Sequence, residues 1–401
     1  MTEAHPDEGP GAWPLVRLVL GQVCVHAAMT GMRMAAPLLA LSQGRSALSV
    51  GMLLALFSLT QVFLAIPAGR FADRHGLKRP VGWAVAAAVL GAVLAALWPR
   101  FEVLCVSALL MGSATGAASI ALQRQVGRAA RDALELKRVF SWLAIGPAVS
   151  NFIGPVLAGL VIDYAGVWMG GAAGDTNGFR AAFALLAVFP LMTWFWIRHA
   201  QELPPAPVQP GTALRQVLDL LKQRQMRRLL VVNWLLASCW DVHTFVVPVL
   251  GHERAYSASV IGTVLGSFAI AAACVRLLMP LVAAHLREWV VLSVAMAVTA
   301  AVFLVYPLMP SAWAMGLCSV VLGLALGSVQ PMVMSTLHQI TPHAQHGQAL
   351  GLRLMSINLS SVVMPVLFGT AAGTVVGVTM VFWTVGAAVG LGAHLAWKIR
   401  P

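Results

Sequence analysis

The chain has 401 residues, of which 59% are hydrophobic and only 10% are Asp, Glu, Lys or Arg, with a formal net charge of +12. Soluble domains carry about 25% charged residues, so this chain lacks the ions to cover a globular surface, and a soluble enzyme is excluded. Segments of about 17–25 apolar residues cross a bilayer as helices. The pattern predicts spans near 14–41, 46–69, 80–98, 102–123, 138–162 and 178–197, then 228–250, 256–281, 288–306, 311–337, 346–371 and 375–397. Residues 1–13 form a cytosolic tail, 14–198 a first six-helix bundle, 199–227 a cytosolic linker, 228–397 a second bundle, and 398–401 a cytosolic end. The tail carries acids but no Lys or Arg, so it is no secretory leader and the first span is retained. The linker opens on QELPPAPVQP, which cannot continue a membrane helix. Its residues 211–226 are read either as a short amphipathic helix or as a solvated segment.

The basic residues sort by side. Of the 26 Lys and Arg, 18 fall in segments placed in the cytosol, four in outer loops, and four (Arg17, Arg33, Arg276, Arg353) within spans. This is the positive-inside pattern with both termini cytosolic. It accounts for the net charge without a nucleic-acid partner. Cys24, Cys105, Cys239, Cys274 and Cys318 lack metal-ligand spacing and sit in apolar segments, as small core side chains do. The methionines of the first span do not form one face, so no copper site is expected. No metal or cofactor is called for.

The two halves repeat. An offset of 211 relates Pro37 to Pro248, Gly51 to Gly262, Gly112 to Gly323 and Gly116 to Gly327. An offset of 210 relates Pro155 to Pro365 and Gly159 to Gly369. Six spans repeated in the same orientation imply an all-α polytopic membrane protein: twelve transmembrane helices in two pseudo-twofold-related bundles. The substrate path is then expected between the bundles.

Between the second and third spans lies GRFADRHGLKRP. Gly69, Asp73, Arg74, Gly76, Lys78 and Arg79 resemble the signature loop of the major facilitator superfamily, with departures at His75 and Leu77. The resemblance implies alternating-access transport. It also implies that Asp73 contacts the start of the eleventh span near Gly347, together with Arg124 or Arg128, as a cytosolic gate. The fifth span carries Gly146-Pro147, Gly154-Pro155 and Gly159. These resemble the motif of the superfamily's proton-coupled exporters, the drug:proton antiporter-like branch. Against that branch, no basic residue lies between Glu102 and Arg124, where those exporters often carry an arginine.

Gln22, His26, Met29, Thr30 and Arg33 share one face of the first span at three- to four-residue steps. The 211 offset carries this stripe to Asn233, Ala237, Trp240, Asp241 and Thr244 on the seventh. An arginine at mid-membrane costs about 2.5–3.5 kcal/mol on insertion scales, so Arg33 is either a structural partner of Asp241 or a substrate anchor. Arg276, Arg353, Gln330 and Asn358 complete the expected cavity. Three cations against one acid favour an anionic or zwitterionic organic substrate. Asp241 is the leading proton carrier; His243 is also a candidate, although two positions along a helix cannot face the same way.

No phosphate-binding glycine loop marks an ATPase. The expected function is therefore secondary transport, as proton-coupled efflux of a small amphiphilic organic anion or zwitterion across a bacterial inner membrane by a monomer. Proton-coupled uptake of an organic anion is the alternative. A membrane-embedded enzyme acting on a lipid-linked substrate is a third reading, for which a nucleophile–base pair and metal ligands are missing.

Overall fold

A computed structural model describes residues 12–129, 133–168, 170–202, 220–282, 286–341, 346–372 and 377–400. The first half is α1 (Ala12–Ser42), α2 (Ala47–His75), α3 (Lys78–Leu97), α4 (Phe101–Ala129), α5 (Ala133–Trp168) and α6 (Thr176–Ile197). The second is α7 (Arg224–Glu253), α8 (Ala258–Val282), α9 (Glu288–Val305), α10 (Ala312–Gly327), α11 (Val329–Ile340), α12 (His346–Ala372) and α13 (Gly377–Trp397). Twelve spans are long and apolar enough to cross a membrane, α10 and α11 making one together. The protein is thus a multi-pass integral membrane protein. With twelve spans, the start of α1 and the end of α13 lie on one face, here the termini face, opposite a distal face. The proposed linker helix falls outside the described residues up to 219.

The tenth span breaks where the sequence reading drew one continuous helix. Pro331 has no N–H to give the Gly327 carbonyl and its ring crowds that turn. The helix stops at Gly327, and the Ser328 hydroxyl donates to the Ala325 carbonyl at 2.7 Å. Elsewhere helix starts are capped as their sequences dictate. Ser46, Asp175 and Ser311 accept from the backbone N–H three residues on, at 3.3, 2.8 and 3.3 Å.

The sequence repeat reappears as equivalent contacts. A side chain at Gly112 would overlap the carbonyl of Phe57, and one at Gly323 the carbonyl of Phe268, the same pair displaced by 211. The contacts between the halves repeat likewise. Gly51 of α2 abuts the Pro365 carbonyl of α12, while Gly262 of α8 abuts the Pro155 carbonyl of α5. Gly369 abuts the Ala47 carbonyl, and Gly159 that of Ala258. Only glycine lets two helix backbones approach this closely. All four contacts lie toward the distal face, where they close the two halves on each other.

Asp163 adds polar closure there. It is 8% exposed, near the end of α5, and its carboxylate accepts the Ala258 and Ser259 N–H groups at 3.1 and 2.7 Å. These are orphan donors at the N-terminus of α8, where a carboxylate is favoured both as acceptor and by the helix dipole.

Candidate functional site: a cationic cavity between the halves

A cavity of about 380 Å³ lies between the two bundles. The repeated stripes meet in it: His26, Thr30 and Arg33 from α1, and Asn233, Trp240, Asp241 and Thr244 from α7. Arg276 of α8, Gln330 of α11 and Arg353 of α12 complete the polar lining among the expected residues. The wall also carries Asn151 of α5 and Ser361 of α12. Asn151 additionally donates its side-chain amide to the Pro147 carbonyl, four residues earlier, at 2.8 Å.

Asp241 is 4% exposed, and hydroxyls rather than a cation hold it. Ser361 Oγ donates to its two carboxylate oxygens at 3.1 and 3.3 Å, and Ser360 Oγ to one at 3.3 Å. Ser360 also pairs with Ser238 Oγ at 3.1 Å. Sequence reasoning places Ser360, with Ser356, on the helical face of Arg353 as a water-facing stripe, and does not single out Ser361 or a serine bond to Asp241. Serines three or four residues apart are too common in helices to signal a carboxylate cradle; only the depth of Asp241 in an apolar span could have prompted a search for donors. Among the described residues the one ion pair within 4.0 Å is Arg45–Glu102, at the distal surface. Arg33 therefore acts on Asp241 as a charge across the cavity and not as a contact pair.

Arg276 and Arg353 present a second feature. Arg353 is 6% exposed, and the Nε atoms of both side chains are buried without a hydrogen-bond partner. The Arg276 guanidinium stands 5.6 Å from the Trp240 ring centroid, in cation–π geometry. His26 Nδ1 and Asn233 Nδ2 are likewise buried and unpartnered. Buried polar groups are nearly always satisfied, and these four unpartnered atoms belong to side chains that line the cavity.

Three expected site residues lie elsewhere. Gln22 donates to Ser119 Oγ at 3.0 Å, joining α1 to α4 one turn before the cavity. Asn358, on α12, is half-buried and does not line the cavity. His243 is fully buried behind it, because two helical positions rotate a side chain about 200° from Asp241. Its Nε2 bonds Ser319 Oγ at 2.9 Å, Ser319 bonds the Tyr306 hydroxyl at 2.8 Å, and the ring stacks on Phe268 at 4.3 Å. This is a packed polar network, remote from the Asp241 carboxylate face.

The signature loop sits on the termini face. Gly76 turns the chain with φ 76°, a conformation that favours glycine. A residue missed by sequence reasoning completes the turn: Glu202 Oε1 accepts from Leu77 N at 2.5 Å and Lys78 N at 3.0 Å, capping α3 from beyond α6. Gly69 has open space around it, Arg74 and Arg79 are exposed, and Lys78 and Arg124 are half-buried. The side chains of Asp73 and Arg128, and Gly347, lie outside the described residues, so the expected gate contact does too.

The α5 motif packs in both directions. Gly146 accommodates the Gln22 side chain and Gly154 the Ala27 carbonyl and Thr30 hydroxyl of α1, while Gly159 and the Pro155 carbonyl meet α8 of the other half. Such packing serves lobe contact whichever way a substrate moves.

No curated protein sequence matches the chain. Solved structures match its fold over nearly all of its length. A POT family transporter in complex with a thioalcohol-conjugated peptide is 13% identical with a TM-score of 0.80, covering 96% of each chain. A POT family transporter in complex with 5-aminolevulinic acid is 12% identical with a TM-score of 0.77, again covering 96% of each. The nucleoside transporter NupG is 13% identical with a TM-score of 0.70, covering 96% of this chain and 98% of its own. The family model described as Major Facilitator Superfamily matches residues 18–312 and 229–401. With both halves matched and the cavity between them, the chain belongs to the Major Facilitator Superfamily, whose secondary active transporters work by alternating access and are not enzymes.

Proposed function

We propose that this protein couples the uptake of a small organic anion or zwitterion to proton entry, as a monomer in a bacterial inner membrane with both termini cytosolic. One observation carries the reading: three arginines line the cavity against a single carboxylate that serines, not arginines, hold. Asp241 is the proton carrier and Arg33 anchors the anion. The serine hydroxyls can donate to the ionised carboxylate or, by rotating, accept from the protonated one, so both states are accommodated in place. In the cycle, distal closure at α2–α12 and α5–α8 alternates with closure at the termini face through the signature loop, where Asp73 is the gating acid.

Uptake is preferred because the fold resembles transporters solved with a peptide and with 5-aminolevulinic acid, and one of nucleosides. The α5 glycines and prolines, which suggested an exporter, are accounted for by packing. Efflux is the second reading, favoured by that motif alone. Reconstituted vesicles with an imposed pH gradient decide between them. Acid outside should drive accumulation of a labelled organic anion, and Asp241→Asn should abolish the drive. Accumulation that instead follows an acid interior would establish antiport, and indifference to the gradient would remove proton coupling.

A further inference from the structure

The two faces of the cavity differ in depth. At 1.5 Å per residue, Arg276 lies about 27 Å along α8 from its distal end, and Arg353 about 28 Å along α12 from its own. They stand at one level on neighbouring sides of the cavity. Arg33 lies only about 14 Å from the distal end of α1, and Asp241 about 18 Å from that of α7. The cavity thus has two cationic poles, separated along the helix axes by roughly 13 Å.

The lower pole is incomplete without an anion. Arg276 and Arg353 act on each other as like charges, and neither has an acidic partner within 4.0 Å among the described residues. Each keeps a buried Nε unpartnered. The Trp240 ring holds Arg276 from one side by its π face, which orients a guanidinium without consuming its N–H donors. Two arginines with free planar donor edges are matched to a carboxylate. At the upper pole, Arg33 likewise has no contact acid, since the Asp241 oxygens are met by Ser360 and Ser361. An ammonium group would have to displace those hydroxyls and the coupled proton to find a counter-charge. The inventory therefore disfavours a zwitterion and leaves room for two anionic groups.

Resting on the anion-uptake reading above, we propose that the preferred substrate is an organic dianion. One carboxylate is clamped by Arg276 and Arg353 in the second half, the other is received by Arg33 in the first, and a short apolar chain lies between along Trp240. A ligand held at both poles ties the two halves together only when both arginine sets converge, so binding is coupled to the rocking of the lobes.

The test uses the full-length protein in detergent and in vesicles, with malonate, succinate, glutarate and adipate set against acetate, propionate, butyrate and valerate. At least one dicarboxylate should bind about tenfold or more tightly than its matched monocarboxylate, the difference a second charge-assisted anchor makes. Arg276→Gln and Arg353→Gln should each bring that ratio close to one. Arg276→Lys and Arg353→Lys should retain part of it, which guards against a loss caused by misfolding; monodispersity is checked for all four. Equal affinity for the two series in the wild type, or a ratio that survives both Gln variants, would overturn the proposal. If a monocarboxylate is still taken up under a pH gradient, the dianion fails and the anion-uptake reading stands. If no anion in either series is bound or moved, both fail.

Discussion

Asp163 and Ser259 belong to different halves of the molecule, yet a carboxylate oxygen of the first accepts the backbone N–H of the second at 2.7 Å. The same carboxylate takes the Ala258 N–H at 3.1 Å, so one side chain caps a helix of the opposite bundle. These bonds exist only while the distal face is closed. Opening of that face must break them, so Asp163 is expected to act as a latch that biases the balance between transport states. The repeat makes it asymmetric. Residue 373, which stands 210 positions on, is glycine, and α2 starts on its own Ser46 cap.

Asp163→Asn keeps the size and one acceptor but loses the charge, and Asp163→Ala loses both. Charge-assisted hydrogen bonds contribute about 1.5–3 kcal/mol, so Asp163→Ala should shift the closed-to-open ratio at the distal face by about tenfold or more. Spin labels on the distal ends of α5 and α8 should report longer distances in Ala than in Asn, and in Asn than in wild type. Unchanged distances in Asp163→Ala would dismiss the latch.

The gating assignment of Asp73 is separable from this. Asp73→Asn removes charge from the signature loop and should lower transport more than ligand binding. Labels at the termini ends of α2 and α12 should move in the opposite sense to those affected by Asp163. Wild-type transport with unchanged distances would end the assignment.

Arg33 and Asp241 should not behave alike. Asp241→Asn should retain anion binding and lose proton drive. Arg33→Lys should keep folded yield but weaken binding, since lysine lacks the planar two-donor edge. If the two residues were a structural pair, each single change would cut membrane yield and the double change to methionine would restore part of it. Pure loss of yield in both single variants, with recovery in the double, would replace the transport roles by that one.

His243 should prove structural. His243→Phe leaves Ser319 with one partner fewer in a dry site, its bond to Tyr306 being retained, at a cost of about 1–3 kcal/mol. Thermal stability should fall, while the pH dependence of uptake in the surviving protein matches the wild type. A shifted pH profile would return His243 to the coupling pathway.

The sequence repeat and hydropathy made twelve spans legible because both depend only on which residues are apolar, small or cyclic. The stripe logic rests on the same properties: of the ten residues on the Arg33 face and its 211-residue image, nine line the cavity. What stayed hidden are contacts whose partner is backbone or hydroxyl. Asp163 and Glu202 cap helices remote in sequence, and a backbone N–H leaves no mark in residue type. A usable signal for Asp163 was an acid near a span end, four residues after Gly159 of the repeat, with no basic partner on its face. Gln22 was misplaced because a polar residue on the right face can still lie one turn past the end of a cavity.

The four glycine contacts that join the halves set a bare Cα against a backbone carbonyl, beside side chains such as Phe152 and Val156 that pack on Gly266. Interlocking leucines would have to be withdrawn from their holes and would regain, then lose, rotamer freedom in every turnover. Smooth carbonyl ridges resting against bare Cα atoms can roll apart and re-seat with neither step. The two halves meet at the distal face as bearing surfaces do, with the Asp163 carboxylate reaching across them.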